Sequence, residues 1–213
     1  MAELVSVILP AYNAETSISR AVESVLAQDY SAWELIIVDN NSTDRTAAIA
    51  SSFRDARIRI ISAEKQGVSH ARNAALDKAA GQFVCFLDAD DVLTPVSLSS
   101  RVALFDSPNT VVDGSVDFVD TPRGIWKPSG AQNLMKSLVH LEENCFCGVT
   151  WMYRFDHFPE ARFHTELTHS EDLHFCMQLA QRGAVYRFSN EVTYRKFHTP
   201  GSAMSNLTGL SDG

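Results

Sequence analysis

The sequence lacks any apolar run of about 18 residues, which is the length that a membrane-spanning helix requires. Its first residues, Met1 to Leu4, include no basic segment and lead into no long apolar stretch, so we expect no signal peptide. Basic residues are also few: 18 lysines and arginines stand against 26 acidic residues, a formal net charge of −8. Because non-specific binding to nucleic acids depends on basic patches, this balance argues against a nucleic-acid partner.

Cysteine is scarce, and no two of the four cysteines have the spacing of a CxxC motif. Cys85 and Cys176 lie in apolar runs, where a reduced thiol behaves as a small hydrophobic group. Cys145 and Cys147 could form a redox or metal pair, but no further ligand stands nearby at a suitable spacing. We therefore expect reduced thiols and a cytoplasmic protein.

The chain also has no internal repeat, no low-complexity segment and no recognisable linker. Its 213 residues are 45% apolar and 21% charged, which is an ordinary balance for a globular protein. These features exclude the collagen-like, coiled-coil and disordered classes. We predict a single domain over 1–213, with a regular half at 1–105 and a less regular half at 106–213.

Short apolar runs alternate with helical patterns over the first half of the chain. The predicted strands are Val5–Leu9, Leu35–Val38, Ile58–Ile61 and Phe83–Leu87, and the predicted helices are Ile18–Leu26, Thr46–Ala50, Val68–Ala80 (closed by Gly81) and one opened by Thr94-Pro95. This succession predicts an α/β fold with a mainly parallel central sheet flanked by helices. Open sheets of this type bind ligands at the carboxyl ends of their strands.

The second half gives weaker patterns. We predict a strand over Val111–Val119 interrupted at Gly114, a helix over Gln132–Glu143, a strand over Val149–Tyr153, a helix capped by Ser170 and ended by Gly183, and short strands over Ala184–Phe188 and Val192–Phe197. Trp151, among several aromatic residues, either stacks on a sugar or packs in the core.

Two carboxylates follow the fourth predicted strand, in Asp88-Ala89-Asp90. Residues two apart on an extended segment point to the same side, so these carboxylates repel each other unless a cation or a proton lies between them. Mg²⁺ and Mn²⁺ prefer such oxygen ligands, usually with phosphates completing the shell. The segment is either a cation site for a diphosphate or a solvated acidic turn.

Further acidic residues stand at the start or end of predicted elements. Asp39 ends the second strand, where its carboxylate either accepts from a nucleobase N–H or caps the next helix. Glu171 and Asp172 lie in the first turn of a predicted helix, where the helix dipole favours negative charge. That position also keeps a carboxylate ionised, as a general base at neutral pH requires.

Five segments then follow one another along the chain: Pro10-Ala11-Tyr12-Asn13, the turn from Val38 to Asp44, Gly67 to Asn73, Asp88 to Asp91, and Ser170-Glu171-Asp172. This order resembles the family 2 glycosyltransferases, most specifically over 4–100. The resemblance implies the GT-A fold, a nucleotide-sugar donor bound by residues 1–105, and an acceptor bound by residues 106–213. It also implies inverting transfer to a hydroxyl of a glycan or lipid-linked acceptor, with peripheral association at the inner face of the membrane for a lipid-linked one.

The resemblance implies a nucleotide pocket in the first half. Pro10 and Tyr12 would pack on the base, and Asp39 would accept from a ring N–H such as N3–H of uracil. Arg72 would lie beside the base or the phosphates. A UDP-sugar is therefore the expected donor.

The resemblance further implies a divalent metal, Mn²⁺ or Mg²⁺, at Asp88-Ala89-Asp90. Asp90 is the expected direct ligand, while Asp88 would contact the ribose, the sugar or the metal. His198 would join the metal or the diphosphate.

The last segment would supply the catalytic groups. Asp172 would be the base, and Glu171 would orient the acceptor. Ser202 and Ser205 would contact the phosphates.

Two positions depart from the family pattern. Asn40-Asn41 stands where Asp-Gly is usual, and Tyr194–His198 has one residue more than the pattern Tyr-Arg-x-His. The Gln-x-x-Arg-Trp motif of processive synthases is absent. No glycine lies between Pro10 and Glu15, which argues against a nucleotidyltransferase or a dinucleotide-dependent oxidoreductase. The remaining alternative is a nucleotide-sugar-binding module without turnover.

Overall fold

The computed structural model describes residues 2–119, 121–128 and 148–198. In chain order the elements are β1 (Val5–Ala11), α1 (Ile18–Leu26), β2 (Trp33–Asp39), α2 (Thr46–Ala50), β3 (Ile58–Ser62), α3 (Val68–Leu76), β4 (Phe83–Phe86), β5 (Val92–Leu93), α4 (Ser97–Val102), β6 (Thr110–Val119), β7 (Gly124–Trp126), β8 (Met152–Arg154), α5 (Glu171–Gln181) and β9 (Val185–Phe197). The predicted helix over 132–143, Cys145, Cys147, Ser202 and Ser205 lie outside the described residues.

Nine strands of the described residues form one mixed sheet, in the order β3-β2-β1-β4-β8-β6-β9-β5 with β7 paired to β6. The four strands predicted in the first half, β1 to β4, run parallel, while the short β5 pairs antiparallel with β9. Beyond them β8 is antiparallel to both β4 and β6, while β6 and β9 run parallel. The antiparallel β8 therefore joins the regular half to the rest of the sheet.

The central strands are apolar because both faces of the sheet are covered. Val7 and Leu9 point into one core, which α1 covers with residues such as Val22. Ile8 points to the other face, where it packs with Ala75 of α3. Successive side chains on a strand alternate between faces, so one apolar run supplies both cores.

β1 continues through Pro10 to Ala11, beyond the predicted end at Leu9. The pairing of β1 with β4 ends at Ile8, whose carbonyl accepts from the N–H of Leu87. The backbone of Pro10 is oriented toward the same side of β1 as that of Ile8, beyond the point where β4 stops pairing. Proline has no N–H, and none is needed for a hydrogen bond there. The strand can therefore include a proline near its carboxyl end.

The predicted capping role of Gly81 is wrong, since α3 ends at Leu76. Gly81 instead lies against β1: a Cβ on it would stand 2.7 Å from the carbonyl oxygen of Leu4 and 2.7 Å from the nitrogen of Ser6. Its N–H donates to the Ser6 hydroxyl over 2.9 Å. Close approach of two backbones, rather than helix termination, requires glycine there.

The two short strands predicted near the end of the chain are one strand, β9, which pairs with β6 along most of its length. The register shifts around Gly114, where a Cβ would collide with the side chain of Thr193. The interruption expected at Gly114 is therefore a bulge within a continuous strand. The predicted strand over 149–153 is shorter and later, at Met152–Arg154.

The described cysteines, Cys85 and Cys176, are free and buried, as predicted. Among residues 2–119, 121–128 and 148–198, no helix is both long and apolar enough to cross a membrane.

Candidate active site

Polar residues gather at the carboxyl ends of β1, β2 and β4, the edge of the sheet where the sequence predicts a ligand site. Asp39 is the last residue of β2, and Asp88 follows β4 by two residues. The N–H of Asp88 donates to the Tyr194 hydroxyl of β9 over 2.9 Å. This bond ties the end of β4 to the second half of the chain.

Arg72 of α3 links two of the predicted site residues. Its Nη2 lies 2.9 Å from Asp88 Oδ1, and its Nη1 lies 3.0 Å from Glu171 Oε1. The side chain is only 4% exposed, and its guanidinium lies 5.0 Å from the ring centroid of Phe163. Because the end of β4 and the start of α5 are far apart in sequence, this double ion pair joins the two halves of the site.

Lys196 of β9 brings a second cation to the same carboxylates. Its Nζ lies 3.7 Å from Asp88 Oδ2 and 3.4 Å from Asp91 Oδ2. The N–H of Phe197 donates to Asp91 Oδ1 over 2.9 Å. We call Arg72, Asp88, Asp91, Glu171 and Lys196 together the charge cluster.

The sequence reasoning missed Lys196 and Asp91. Two signals pointed to them: Lys196 stands in the segment that is one residue longer than the family pattern, and Asp91 extends Asp88-Ala89-Asp90. Lys196 is also two positions from the buried Tyr194, so the two side chains leave β9 on the same side.

The cluster shifts the acidity of its carboxyl groups. Burial alone would raise the pKa of Asp88, but the charges of Arg72 and Lys196 outweigh it and lower the pKa. Burial raises the pKa of Asp91 to about 7; Lys196 opposes this rise, while the charges of Asp88 and Asp90 add to it. Asp88 is thus the more strongly ionised of the two groups that contact Lys196.

Asp90 and Ala89 lie in the same turn, with different surroundings. Ala89 is 8% exposed and packs in the core below the sheet edge. Asp90 is half-buried, and its carbonyl oxygen accepts from Arg20 Nη2 over 2.6 Å. The Arg20 guanidinium lies 3.7 Å from the ring centroid of Phe197, so α1 and β9 hold this turn together.

The predicted metal ligands offer oxygen donors rather than a complete cage. Among residues 2–119, 121–128 and 148–198, no three His, Cys, Asp or Glu side chains stand together as a ready metal site. His198 follows the end of β9 and is exposed. The carboxylates of Asp88 and Asp90 suit a hard divalent ion that takes its remaining ligands from phosphates and water. The donor set therefore fits Mg²⁺ or Mn²⁺ bound together with a diphosphate.

Asp172, the predicted base, lies at the start of α5 beside Glu171. Its Oδ1 accepts from the N–H of Leu173 over 2.7 Å. A Cβ on Gly148 would lie 3.5 Å from Asp172 Oδ2 and 3.9 Å from Lys196 Nζ. Gly148, with φ +65°, thus lies close to both Asp172 and Lys196, and the sequence reasoning missed it.

The expectation that the helix start lowers the pKa of Asp172 is wrong: burial raises it, and the neighbouring Glu171 charge adds to this, while the N–H of Leu173 opposes it. The predicted cap is wrong, because Ser170 makes no side-chain hydrogen bond to the helix and has φ 61°. Its left-handed conformation turns the chain sharply into α5.

Asp39 holds the turn that follows β2. Its Oδ1 accepts from the N–H of Ser42 over 3.3 Å, a long bond within the turn. Asp39 does not cap α2, because the first N–H of that helix, at Thr46, donates to Asp44 Oδ1 over 2.9 Å. Asn41 has φ 61°, which asparagine tolerates better than most residues. The segment Asn40-Asn41 therefore makes the turn where relatives use Asp-Gly.

Pro10 and Tyr12 lie at the carboxyl end of β1, next to the end of β2. Pro10 is buried in β1, whereas Tyr12 is 49% exposed. Asn13, with φ 47°, accepts at Oδ1 from the N–H of Thr43 over 2.9 Å. These bonds connect the loop after β1 to the turn after β2.

A cleft of about 430 Å³ lies between α3 and the segment before α5, lined by Asn73, Phe163, His164, Thr165 and Glu166. The Asn73 side chain fixes this wall, donating to the Phe163 carbonyl over 2.8 Å and accepting from its N–H over 2.9 Å. Trp151 is elsewhere: it is 1% exposed and stacks on Phe175 at 5.1 Å between ring centroids. Of its two predicted roles, the structure supports core packing.

Comparisons with known proteins agree with this architecture. The model of the family described as Glycosyl transferase family 2 matches residues 6–178. The Escherichia coli protein named UDP-Glc:alpha-D-GlcNAc-diphosphoundecaprenol beta-1,3-glucosyltransferase WfgD is 42% identical over 102 residues, covering 47% of this chain and 40% of its own length.

Two solved structures share the fold. S. aureus TarS 1–349 in complex with UDP has a TM-score of 0.75 at 25% identity, covering 92% of this chain and 61% of that one. The mannosyltransferase PcManGT from Pyrobaculum calidifontis in complex with GDP-Man and Mn²⁺ has a TM-score of 0.72 at 23% identity, covering 96% and 60%. The predicted GT-A fold is confirmed, and the chain spans 40–61% of the length of these three proteins.

Proposed function

Because the chain belongs to glycosyl transferase family 2, we propose that it transfers a sugar from a UDP-sugar to an acceptor hydroxyl with inversion. The observation that carries this proposal is the link from Asp88 through Arg72 to Glu171. It connects a carboxylate predicted to bind the donor with the residue next to the predicted base, Asp172. Residues 1–105 would bind the donor, and residues 106–213 the acceptor.

The proposed donor lies along the carboxyl edge of the sheet. The exposed ring of Tyr12 offers a face for the uracil, and Pro10, which is buried at the end of β1, would pack on the same base. Asp39 would accept from N3–H, exchanging its long bond to Ser42 for one to the base. TarS, which shares the fold, is solved with UDP, and the name of the Escherichia coli relative gives UDP-Glc as its donor.

The diphosphate would lie against the turn that carries Asp88 and Asp90. These two carboxylates would hold the divalent ion, which would neutralise charge on the departing diphosphate when bound. Among the described residues, Arg72 and Lys196 are the cations that form ion pairs with Asp88 in this turn. His198 would approach from the end of β9.

Asp172 would accept the proton of the attacking hydroxyl. In the proposed displacement the acceptor oxygen bonds to the anomeric carbon, the bond from that carbon to the diphosphate breaks, and the proton moves to Asp172. Its raised pKa makes the carboxylate a stronger base once ionised. We therefore expect the rate to fall as the pH falls through the pKa of Asp172.

Glu171 would assist the acceptor rather than take its proton. Its Oε1 is held by Arg72 at 3.0 Å, so the carboxylate has a fixed orientation beside Asp172. The cleft along Asn73 and Phe163 is the proposed acceptor surface. The Escherichia coli relative is named for a sugar on a diphosphoundecaprenol lipid, which favours a lipid-linked acceptor met at the inner face of the membrane.

The test compares Asp172→Asn with Asp156→Asn, a matched control at an exposed surface ion pair. UDP-glucose is offered with a GlcNAc-diphosphate lipid analogue, and UDP affinity is measured separately. The proposal predicts that Asp172→Asn slows transfer by about 10²–10⁴-fold while UDP affinity stays the same.

Equal loss of transfer and of UDP affinity in Asp172→Asn would remove Asp172 from the role of base. A wild-type protein that binds UDP-sugars but neither transfers nor hydrolyses any of them would instead be the binding module without turnover.

A further inference from the structure

The charge cluster already contains a cation at the place where a metal would bind. Lys196 Nζ contacts Asp88 Oδ2 at 3.7 Å and Asp91 Oδ2 at 3.4 Å, and the lysine side chain is only 16% exposed. Asp88 is also one of the two proposed metal-binding carboxylates. A divalent ion that approaches Asp88 would therefore meet an ammonium group that already contacts the same carboxylate.

The position of this ammonium group is fixed by β9. One residue later, the N–H of Phe197 donates to Asp91 Oδ1 over 2.9 Å. Two residues earlier, the Tyr194 hydroxyl accepts from the N–H of Asp88 over 2.9 Å. These bonds hold the backbone on both sides of Lys196 against the acidic turn, so the base of the lysine side chain has a fixed position next to Asp88 and Asp91.

Like charges within a few ångströms repel more strongly where water is partly excluded. Arg72 and Lys196 together already offset the charge of Asp88. A divalent ion gains little from Asp88 while the ammonium group stays there. A nucleoside diphosphate changes this balance, because its negative oxygens offer the ammonium group another partner within the same site.

We propose that Lys196 is the resident counter-ion of the empty donor site, where it competes with the divalent ion for Asp88, and that the diphosphate ends this competition by drawing the ammonium group to itself. Metal and nucleotide then strengthen each other's binding. The coupling is reciprocal, so the factor by which UDP raises metal affinity equals the factor by which metal raises UDP affinity. The inference rests on the proposed donor site.

The test uses Lys196→Met, which removes the ammonium group and keeps much of the chain length. Lys78→Met is the matched control, because Lys78 is exposed beyond the end of α3. Binding of Mn²⁺ alone is followed by electron paramagnetic resonance, and binding of UDP in the presence of chelator by calorimetry.

Two shifts of opposite sign are expected in Lys196→Met. Mn²⁺ alone should bind about tenfold more tightly, because its competitor is gone, and UDP with chelator should bind about tenfold more weakly, because its cationic partner is gone. Lys78→Met should leave both affinities unchanged. Lys196→Arg, which keeps the charge, should keep Mn²⁺ binding as weak as in the wild type.

The outcomes separate this inference from the proposed function. Unchanged or weaker Mn²⁺ binding in Lys196→Met, with UDP-dependent Mn²⁺ binding retained in the wild type, overturns the competition and leaves the donor site standing. Absence of Mn²⁺ binding in every variant, even with UDP, overturns the proposed metal site and this inference with it. A folding defect would weaken the binding of both Mn²⁺ and UDP, whereas the proposal predicts tighter Mn²⁺ binding and weaker UDP binding.

Discussion

The two sides of the candidate site are built by different means. The proposed donor side consists of parallel strand ends, and the loop after β1 and the turn after β2 are held to each other by hydrogen bonds such as that from the N–H of Thr43 to Asn13. The base side combines the start of α5, the end of β9 and the backbone at Gly148. Arg72 joins the two sides. The proposed donor side is therefore set by adjacent parallel strands and the loops that follow them, whereas the proposed base side depends on ion pairs between residues much farther apart in sequence.

The largest effect is expected from breaking the link between the two sides. Arg72→Met leaves Asp88 and Glu171 without their shared cation in a place where water is partly excluded. We expect unfolding free energy to fall by about 2–4 kcal/mol, less than for a fully buried pair because Asp88 stays partly exposed. UDP binding and transfer should fall together.

Chemical denaturation and UDP titration measure this effect. Arg45→Met is the control, since its ion pair with Glu15 is at the surface and should contribute little. If Arg72→Met keeps both stability and UDP affinity, the link between the two sides is not what holds the site together.

A second variant tests the donor side alone. Asp39→Ala removes the carboxylate proposed to accept a hydrogen bond from the uracil and leaves the turn at Asp88–Asp90 unchanged. A hydrogen bond to a charged acceptor contributes enough that UDP affinity should fall by about 10–100-fold. Inorganic pyrophosphate, titrated in the same way, should bind as before. An equal loss of affinity for UDP and for pyrophosphate would show that Asp39 does not contact the uracil.

A third variant tests how the second half of the chain holds a carboxylate without a direct ion pair. Asp113 of β6 accepts from the Gly114 N–H and the Thr150 hydroxyl, and burial raises its pKa from 3.8 to about 6. Since the folded pKa is raised, the stability from this group is present below about pH 3.8 and is lost as the pH rises through about 6.

Asp113→Asn removes this titration and keeps groups that can hydrogen-bond at the same positions. Relative to the wild type, the variant should gain about 2 kcal/mol of unfolding free energy between pH 4 and pH 8. Thermal unfolding across that range measures the change. Parallel pH profiles for the two proteins would refute the assignment.

The smallest effect is expected at the turn after β2. Asn41 already adopts φ 61°, and Asn41→Gly replaces it with a residue that adopts this angle without steric cost. Stability should change by less than about 1 kcal/mol, and UDP affinity should stay the same. Asn41→Val should destabilise the turn, because branched side chains strongly disfavour this conformation. A large loss in Asn41→Gly would mean that the Asn41 side chain itself contributes to the site.

The same contrast explains what the sequence could predict. The strands of the first half are apolar runs with polar residues at their ends, so their parallel order and the position of Asp39 and Asp88 followed from local patterns. Lys196 was missed because its place depends on the register of β9 against β6 and on the bulge at Gly114. The sequence around Trp151 is compatible with both a core position and a sugar site. Only its packing on Phe175 in the structure distinguishes the two.

The donor site is the central claim, and calorimetric titration of the wild-type protein with UDP, GDP and dTDP tests it most directly, each with Mn²⁺ and with chelator. The account predicts that UDP binds more tightly than GDP or dTDP and that Mn²⁺ strengthens its binding. A preference for GDP or dTDP, UDP binding that Mn²⁺ does not strengthen, or no binding of any of the three would contradict it.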